Sequence, residues 1–379
     1  IRLSKTTVKK TVDVLASMKL IVSAGKGLST EEGGKRPELY RFNKGYGYVI
    51  SVHVTPESIM AVTTDLAADI TGFRKIEVGA ERDLSFILGK LAELIGGFTT
   101  AKAASGEKLI GVVIALPGLA DSSAGISIYS PHYPSWGRNV PFREMLHERL
   151  GSAREVPIFI DNVNRFQAVA EQEKGEARGV TNFIIIDALN EGLGSGIVTH
   201  GELMRGTQGL SGEIGHMTIN PVGGPLCICG NRGCFETMVS ARRIHEMIHD
   251  ARAQGVKSAF FREEVSDASA FDEVCALARA GDPLCISIID DVAGWFVVGL
   301  GNIIMVNDPE LIVIQGQYVK AGQYFLEKLR EGIKRIGLPS VEKRVRIAYS
   351  QLGEERGVIG GAASVVSDYF SRRLAFRAG

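Results

Sequence analysis

The chain has 379 residues, 45% hydrophobic and 23% charged, and its 43 Lys and Arg balance 43 Asp and Glu. That length carries two or three domains with substantial cores, and the composition is that of a soluble globular protein. No apolar run approaches the roughly 20 residues that span a bilayer and no signal-peptide pattern opens the chain, so a cytoplasmic protein is expected.

The balance of charge is uneven. Residues 1–44 hold ten Lys or Arg against four acids, which is +6 there and −6 over the remainder. A basic module on a mildly acidic body is the footprint of a nucleic-acid-binding head on a ligand-binding trunk. Ser4 is a good N-cap, and Val8, Val12, Leu15 and Met18 recur at helical spacing, predicting a helix with that stripe packed inward. Lys5, Thr6, Lys9 and Lys10 then fall on other faces and are candidate DNA contacts. Leu20-Ile21-Val22 and Glu38–Phe42 read as strands around a glycine-rich loop whose tip is Gly33–Pro37. Helix, strand, loop and strand make the back half of a winged helix-turn-helix. Lys35 and Arg36 on the wing could reach phosphates or a narrow minor groove. The helices that normally precede a recognition helix are missing, and the first residue is Ile1, so further residues are expected before it.

From Gly47 onward, β-runs alternate with helices. Tyr48–Val54, Ile59–Asp65, Leu109–Ala115, Ile158–Ile160, Asn182–Asp187 and Leu311–Ile314 read as strands, and Leu84–Gly97 and a C-terminal segment over 360–376 as helices. This is an α/β trunk. The domains expected are a head at 1–44, a first lobe at 45–160 plus 360–379, and a second lobe at 161–359.

The densest signal is Gly212–Glu236, where His216, Cys227, Cys229 and Cys234 fall within nineteen residues. Three thiols and an imidazole are the ligand set of a closed tetrahedral zinc site, so structural Zn2+ is the expected cofactor. Gly223, Gly224, Gly230 and Gly233 give the backbone freedom a C-x-C turn needs. The alternative, that the cysteines are simply buried or oxidised, does not explain the histidine and the bracketing acids Glu213 and Glu236. Cys275 and Cys285 stand apart in a helical region.

The segments Gly212-Glu213-Ile214-Gly215-His216 and Cys227-Ile228-Cys229-Gly230-Asn231-Arg232-Gly233-Cys234-Phe235-Glu236 resemble the signature of the ROK family of sugar kinases and sugar-responsive repressors. The resemblance implies a two-lobed actin/hexokinase-like (ribonuclease-H-like) trunk that closes on a sugar. It also implies sugar contacts at Gly118, Asn162, Glu213, His216 and Glu236, and at His132, where the family more often has Asn.

A kinase of this family needs more, and here the chain departs from the pattern. The first phosphate hairpin, D-x-G-G-T in the family, is His53-Val54-Thr55-Pro56-Glu57, and Pro56 has no N–H to offer. In the segment matching the second phosphate loop, Asn190–Gly196, Glu191 takes the threonine position, and the three glycines equally serve a tight strand–turn–strand. Val163 stands where the family places its catalytic base, with Asp161 the one nearby substitute. The segment Ile314–Gln317 keeps one glycine of a usual three. The expectation is a sugar-responsive repressor without kinase activity, forming a homodimer or higher oligomer on operator DNA, and so associated with the nucleoid when bound. An ATP-dependent hexose kinase using Asp161 is the alternative. A third reading, a vestigial pocket with a phosphosugar or partner protein as effector, is opposed by the intact Glu213, His216 and Glu236, though they leave a phosphorylated ligand open.

Overall fold

The head comes first in the computed structural model, which describes residues 4–28, 36–151, 156–189, 192–262, 265–342 and 344–375. It holds α1 (Lys5–Ser17) and an antiparallel ribbon of β1 (Ile21–Lys26) and β2 (Glu38–Phe42), with Ile21 opposite Phe42 and Lys26 opposite Glu38. Ser4 Oγ accepts the Thr7 N–H, the expected cap. The inward stripe does not bury: no residue of α1 is buried, Val12, Leu15 and Met18 are half-buried, and Val8 is 46% exposed. A two-stranded ribbon offers too little apolar surface to cover it. Within the head Asn43 Nδ2 donates to the Lys19 carbonyl (2.8 Å), and Lys44 Nζ ties it to the trunk, 3.1 Å from Asp65 and 2.9 Å from Asp69.

Two five-stranded mixed sheets of one plan form the trunk. In the first, β3 (Gly47–Val54), β4 (Ser58–Thr64) and β5 (Ile70–Glu77) make an antiparallel meander. β6 (Lys108–Leu116) and β9 (Ile158–Asn162) then add in parallel, giving the order β5-β4-β3-β6-β9. A hairpin of β7 (Leu119–Asp121) and β8 (Ile126–Tyr129) follows β6. The second sheet repeats the plan. β10 (Phe183–Leu189), β11 (Gly192–Thr199) and β12 (Glu202–Leu203) form the meander, and β13 (Leu311–Gly316) and β14 (Arg346–Tyr349) the parallel extension, in the order β12-β11-β10-β13-β14.

Both central strands are apolar on both faces because helices cover both. On the first sheet, α2 (Leu84–Lys102) and α3 (Phe142–Leu150) bury Ile87, Leu91, Phe142 and Leu146 against one face. On the other, α4 (Val163–Lys174) and the C-terminal α10 (Arg356–Ala375) pack Phe166, Ala362 and Val365 on Val49, Val113 and Ala115. α4 lies between the lobes: Phe166 joins the first core and Ala168 the core around Ile185 and Val313 of the second sheet. Asp161 and Asn162, the first residues of the expected second lobe, end the edge strand of the first sheet.

The helices α5 (Phe235–Met238), α6 (Ala241–Ala253), α7 (Asp267–Arg279), α8 (Pro283–Asn307) and α9 (Gly322–Ile333) build the large core of the second lobe. Two helices, α2 and α8, are long and apolar enough to cross a membrane, contrary to the sequence expectation. α8 is the central helix of that core, with Ile288, Val292, Phe296 and Leu300 buried. Cys275 and Cys285 lie on α7 and α8, both buried.

Candidate ligand cleft and metal centre

His216, Cys227, Cys229 and Cys234 are brought together, their ligand atoms all within 4.8 Å of one another. Cys229 Sγ is 3.6 Å from Cys234 Sγ, and Cys227 Sγ is 3.5 Å from His216 Nδ1. Those are the edges of a tetrahedron around one ion, for which bond lengths of ~2.3 and ~2.0 Å imply edges of ~3.8 and ~3.5 Å. The local sequence makes this turn possible. Gly233 has φ +64°, and a Cβ there would sit 1.8 Å from the Asn220 carbonyl, while one on Gly224 would meet Gly233 Cα at 2.1 Å. Gly223, expected to help, has no such constraint. The knot is anchored by Phe235, buried against Phe296 of α8 with ring centroids 5.3 Å apart, so Cys234 and Glu236 on either side of it inherit the rigidity of the core. Burial pushes the Cys234 thiol up to about 11, and burial with a hydrogen bond to Glu236 pushes Cys227 higher still. A metal ion would have to displace these protons.

Glu213 and His216 belong to one short 3-10 turn whose helical residues are Ile214–His216, and Glu236 lies in α5. Glu236 Oε1 is 3.3 Å from His216 Nδ1 and accepts from Cys227 Sγ at 2.9 Å. Glu213 differs: no hydrogen bond to its carboxylate is found among the described residues, and burial raises its pKa against the opposing pull of His216 and Arg165. A partly buried carboxylate without donors keeps its capacity to accept hydrogen bonds.

Asn162 and Gly118 meet directly, Asn162 Nδ2 donating to the Gly118 carbonyl at 2.8 Å. The same side chain caps α4 by accepting the Asn164 N–H, so both ends of its amide are engaged. Gly118 has φ +88°, and a Cβ would fall 2.4 Å from the Tyr129 carbonyl, which packs this turn against the loop carrying His132. His132 is half-buried in that loop and makes no side-chain contact that joins it to the glutamates.

The β3–β4 hairpin and its neighbours are built differently. The Thr55 hydroxyl accepts the N–H groups of Glu57 (3.3 Å) and Ser58 (3.0 Å), and the Tyr133 hydroxyl donates to the Thr55 carbonyl (2.7 Å), so the hairpin closes on itself. Burial and the Arg356 guanidinium push His53 down to about 4, keeping it neutral. Val163 packs against α10, its Cγ2 3.1 Å from where a Cβ on Gly357 would be. Asp161 is 1% exposed and bound by two arginines, Arg165 Nη1 at 2.7 Å and Arg205 Nε at 3.0 Å. Both carboxylate oxygens of Asp161 are thus engaged by guanidinium groups. Asn190 and Glu191 lie outside the described residues. Gly192–Gly196 form the start of strand β11, not a loop.

Arg165 and Arg205 were not singled out from the sequence. A guanidinium on a helix reads as solvated surface, and the one available signal was the Asp161–Arg165 spacing of four at a strand-to-helix junction. In the head, Lys5, Thr6, Lys9, Lys10 and Arg36 are all exposed, and Lys5 and Lys9 line a groove with Val8, Val12, Asp13, Glu38 and Tyr40. Lys35 and most of the expected wing tip lie outside the described residues.

The profile of the ROK family matches residues 49–368. A xylose repressor from Caldicellulosiruptor bescii is 29% identical over 371 residues, covering 97% of this chain and 90% of its own length. Among solved structures, a ROK family transcriptional regulator, a homologue of the E. coli MLC protein, superposes with a TM-score of 0.83 at 26% identity, covering 99% of this chain and 91% of that one. A ROK hexokinase from Thermus thermophilus superposes with a TM-score of 0.69 at 26% identity, covering 86% of this chain and 99% of that one. The fold is therefore the α/β trunk shared by ROK regulators and hexokinases, preceded by a region compatible with a DNA-binding head, and the chain belongs to the ROK family.

Proposed function

We propose that this protein is a sugar-responsive transcriptional repressor that binds operator DNA through its head and a sugar in the interlobe cleft, without phosphoryl transfer. The observation that carries the reading is the likeness to a transcriptional regulator over nearly the whole chain, head included, where the hexokinase covers the trunk. The cleft agrees with it. Glu213 offers an unpaired carboxylate on a metal-braced turn, while Val163 and the doubly bound Asp161 leave no base.

The donor set of His216, Cys227, Cys229 and Cys234 fits Zn2+, which when bound would supply structural bracing and no open coordination position. His216 coordinating through Nδ1 leaves Nε2 for a sugar hydroxyl, beside Glu213 and Glu236. Gly118, Asn162 and His132 would complete the contacts from the first lobe. α10 offers a route from cleft to head. It starts at Arg356, 3.4 Å from Asp187 of the second sheet, and Phe370 near its end packs edge-on against Phe42 of β2, 5.9 Å between ring centroids. Twenty helical residues span ~30 Å. In a homodimer, lobe closure transmitted this way would change the spacing of two heads, which operator half-sites read geometrically.

The test is thermal unfolding of the zinc-loaded protein with a panel of hexoses, N-acetylhexosamines and pentoses, each with and without Mg·ATP. A ligand of the folded state adds about 2.7 kcal/mol at a hundred times its Kd. A sugar that stabilises alone, with no change on adding Mg·ATP, is the expected result. Stabilisation by Mg·ATP together with sugar phosphate formation would replace the repressor reading with the kinase.

A further inference from the structure

Asp161 and Arg165 end up in a place that neither the metal knot nor the sugar contacts account for. Asp161 closes β9 of the first lobe, and its carboxylate is almost wholly buried. Oδ1 accepts from Arg165 Nη1 at 2.7 Å and from the Asn162 N–H at 2.8 Å, and Oδ2 accepts from Arg205 Nε at 3.0 Å. Arg165, 2% exposed, also donates to the Ala120 carbonyl in the first lobe (3.3 Å) and to the Gly209 carbonyl in the second. Arg205 and Gly209 belong to the same loop, the one that runs from β12 to Glu213. Its other end is held by Ser195 Oγ, which donates to the Gly212 carbonyl at 2.7 Å.

We infer that Asp161, Arg165 and Arg205 form a staple across the cleft, positioning the Glu213 loop and making its placement conditional on the first lobe. The inference deepens the sugar-site reading and rests on it for the ligand-dependent part. Two features favour a coupling device over ordinary packing. The carboxylate is buried and held from both lobes, so opening the lobes would take Arg205 from Oδ2 and the Gly209 carbonyl from Arg165, leaving buried charge only partly paired, which a low-dielectric site penalises. The two anchoring points, Arg205 and Gly209, lie four residues apart on one loop, fixing its orientation as well as its position. Asp161 and Arg165 are positioning residues on this view.

The two arginines differ in a way that makes the idea testable. Arg205 uses one nitrogen on one oxygen and its side chain is 46% exposed, so a lysine can replace it. Arg165 uses two nitrogens on three acceptors, a fork a single ammonium does not reproduce. Hydrogen exchange of the intact zinc-loaded protein, followed by peptide, reads both parts. Without sugar, Arg205→Gln is expected to speed exchange across 203–212 about tenfold while 217–238 keeps its protection, Arg205→Lys to restore the wild-type rate, and Arg165→Lys not to. With D-xylose or D-glucose, whichever binds by calorimetry, the wild type is expected to gain protection across 158–166 in the first lobe. Arg205→Gln should bind the same sugar and lack that gain. Unchanged exchange across 203–212 in folded Arg205→Gln, or an undiminished sugar-induced gain across 158–166, would overturn the staple. If neither sugar binds the wild type, the sugar reading is what suffers, and the sugar-free comparison still decides whether the staple exists.

Discussion

The metal knot and the β3–β4 hairpin differ in what the polar atoms around them are engaged with. On the knot side, Glu213 has no donor among the described residues, and Glu236 and His216 are held by contacts that a metal ion would reorganise. On the hairpin side, the Thr55 hydroxyl takes the nearby amides, Asp161 is shared by two arginines, and Val163 packs on α10. Both sides rest on sheets of one topology, so the difference lies in side chains and not in architecture. Fold alone does not separate regulator from kinase, because a ROK regulator and a ROK hexokinase both share this trunk.

The sharpest way to break this contrast is to remove the brace on the knot side. Cys229 is the exposed member of the ligand set, so Cys229→Ser changes little packing and one metal ligand. We expect loss of tightly held zinc, a drop of several kcal/mol in stability of the metal-loaded protein, and a fall in sugar affinity of roughly tenfold or more. Metal content with calorimetric sugar titration checks this. Wild-type sugar affinity in a demonstrably zinc-free variant would show that Glu213 and Glu236 do not depend on the knot.

On the hairpin side, His53 provides a test through pH. Its pKa is held at about 4 in the folded chain against 6.5 unperturbed, by burial and by Arg356. Between those values the unfolded chain binds more protons. Stability is thus full above about pH 6.5 and falls as pH drops towards 4, by at most about 3 kcal/mol. His53→Gln should flatten that part of the pH dependence relative to wild type. Because both proteins carry the same knot, acid release of metal cancels in the difference. Parallel denaturation curves at about pH 7.5 and about pH 4.5 that shift equally in both proteins would mean that His53 is solvated and the hairpin side is open to polar ligands.

How much of this was legible follows the same division. The metal ligands and Glu236 could be read because they are close in sequence and their chemistry is local. The central strands β3, β6, β10 and β13 could be read because burial on both faces makes them continuously apolar. β11 could not: its glycines imitate a phosphate loop, yet a Cβ on Gly194 would fall 1.9 Å from Asn164 Nδ2 and one on Gly196 2.6 Å from the Asn164 carbonyl, so these glycines admit α4. β5 escaped for the opposite reason, being an edge strand with exposed Arg74 and Lys75. Arg205 is 44 residues from Asp161, and no local pattern announces that pairing; the Asp161–Arg165 contact left only its spacing of four.

The smallest effect expected is in the head, and it separates the head from both knot and hairpin. Arg36 is exposed and adjoins Pro37, whose carbonyl accepts the Gly27 N–H at 2.8 Å and so holds the base of the wing. If Arg36 neutralises one phosphate, Arg36→Ala should weaken DNA binding severalfold and lower the slope of log K against log salt by about 0.9, with sugar binding untouched. Filter binding or anisotropy across a salt series measures both quantities. A weaker complex with an unchanged slope would mean that the wing contributes shape and not charge, and would shift the electrostatic contact to Lys5, Lys9 and Lys10 on α1. An unchanged complex with altered sugar affinity would place Arg36 in the route between head and cleft, and the division of labour between head and trunk would have to be redrawn.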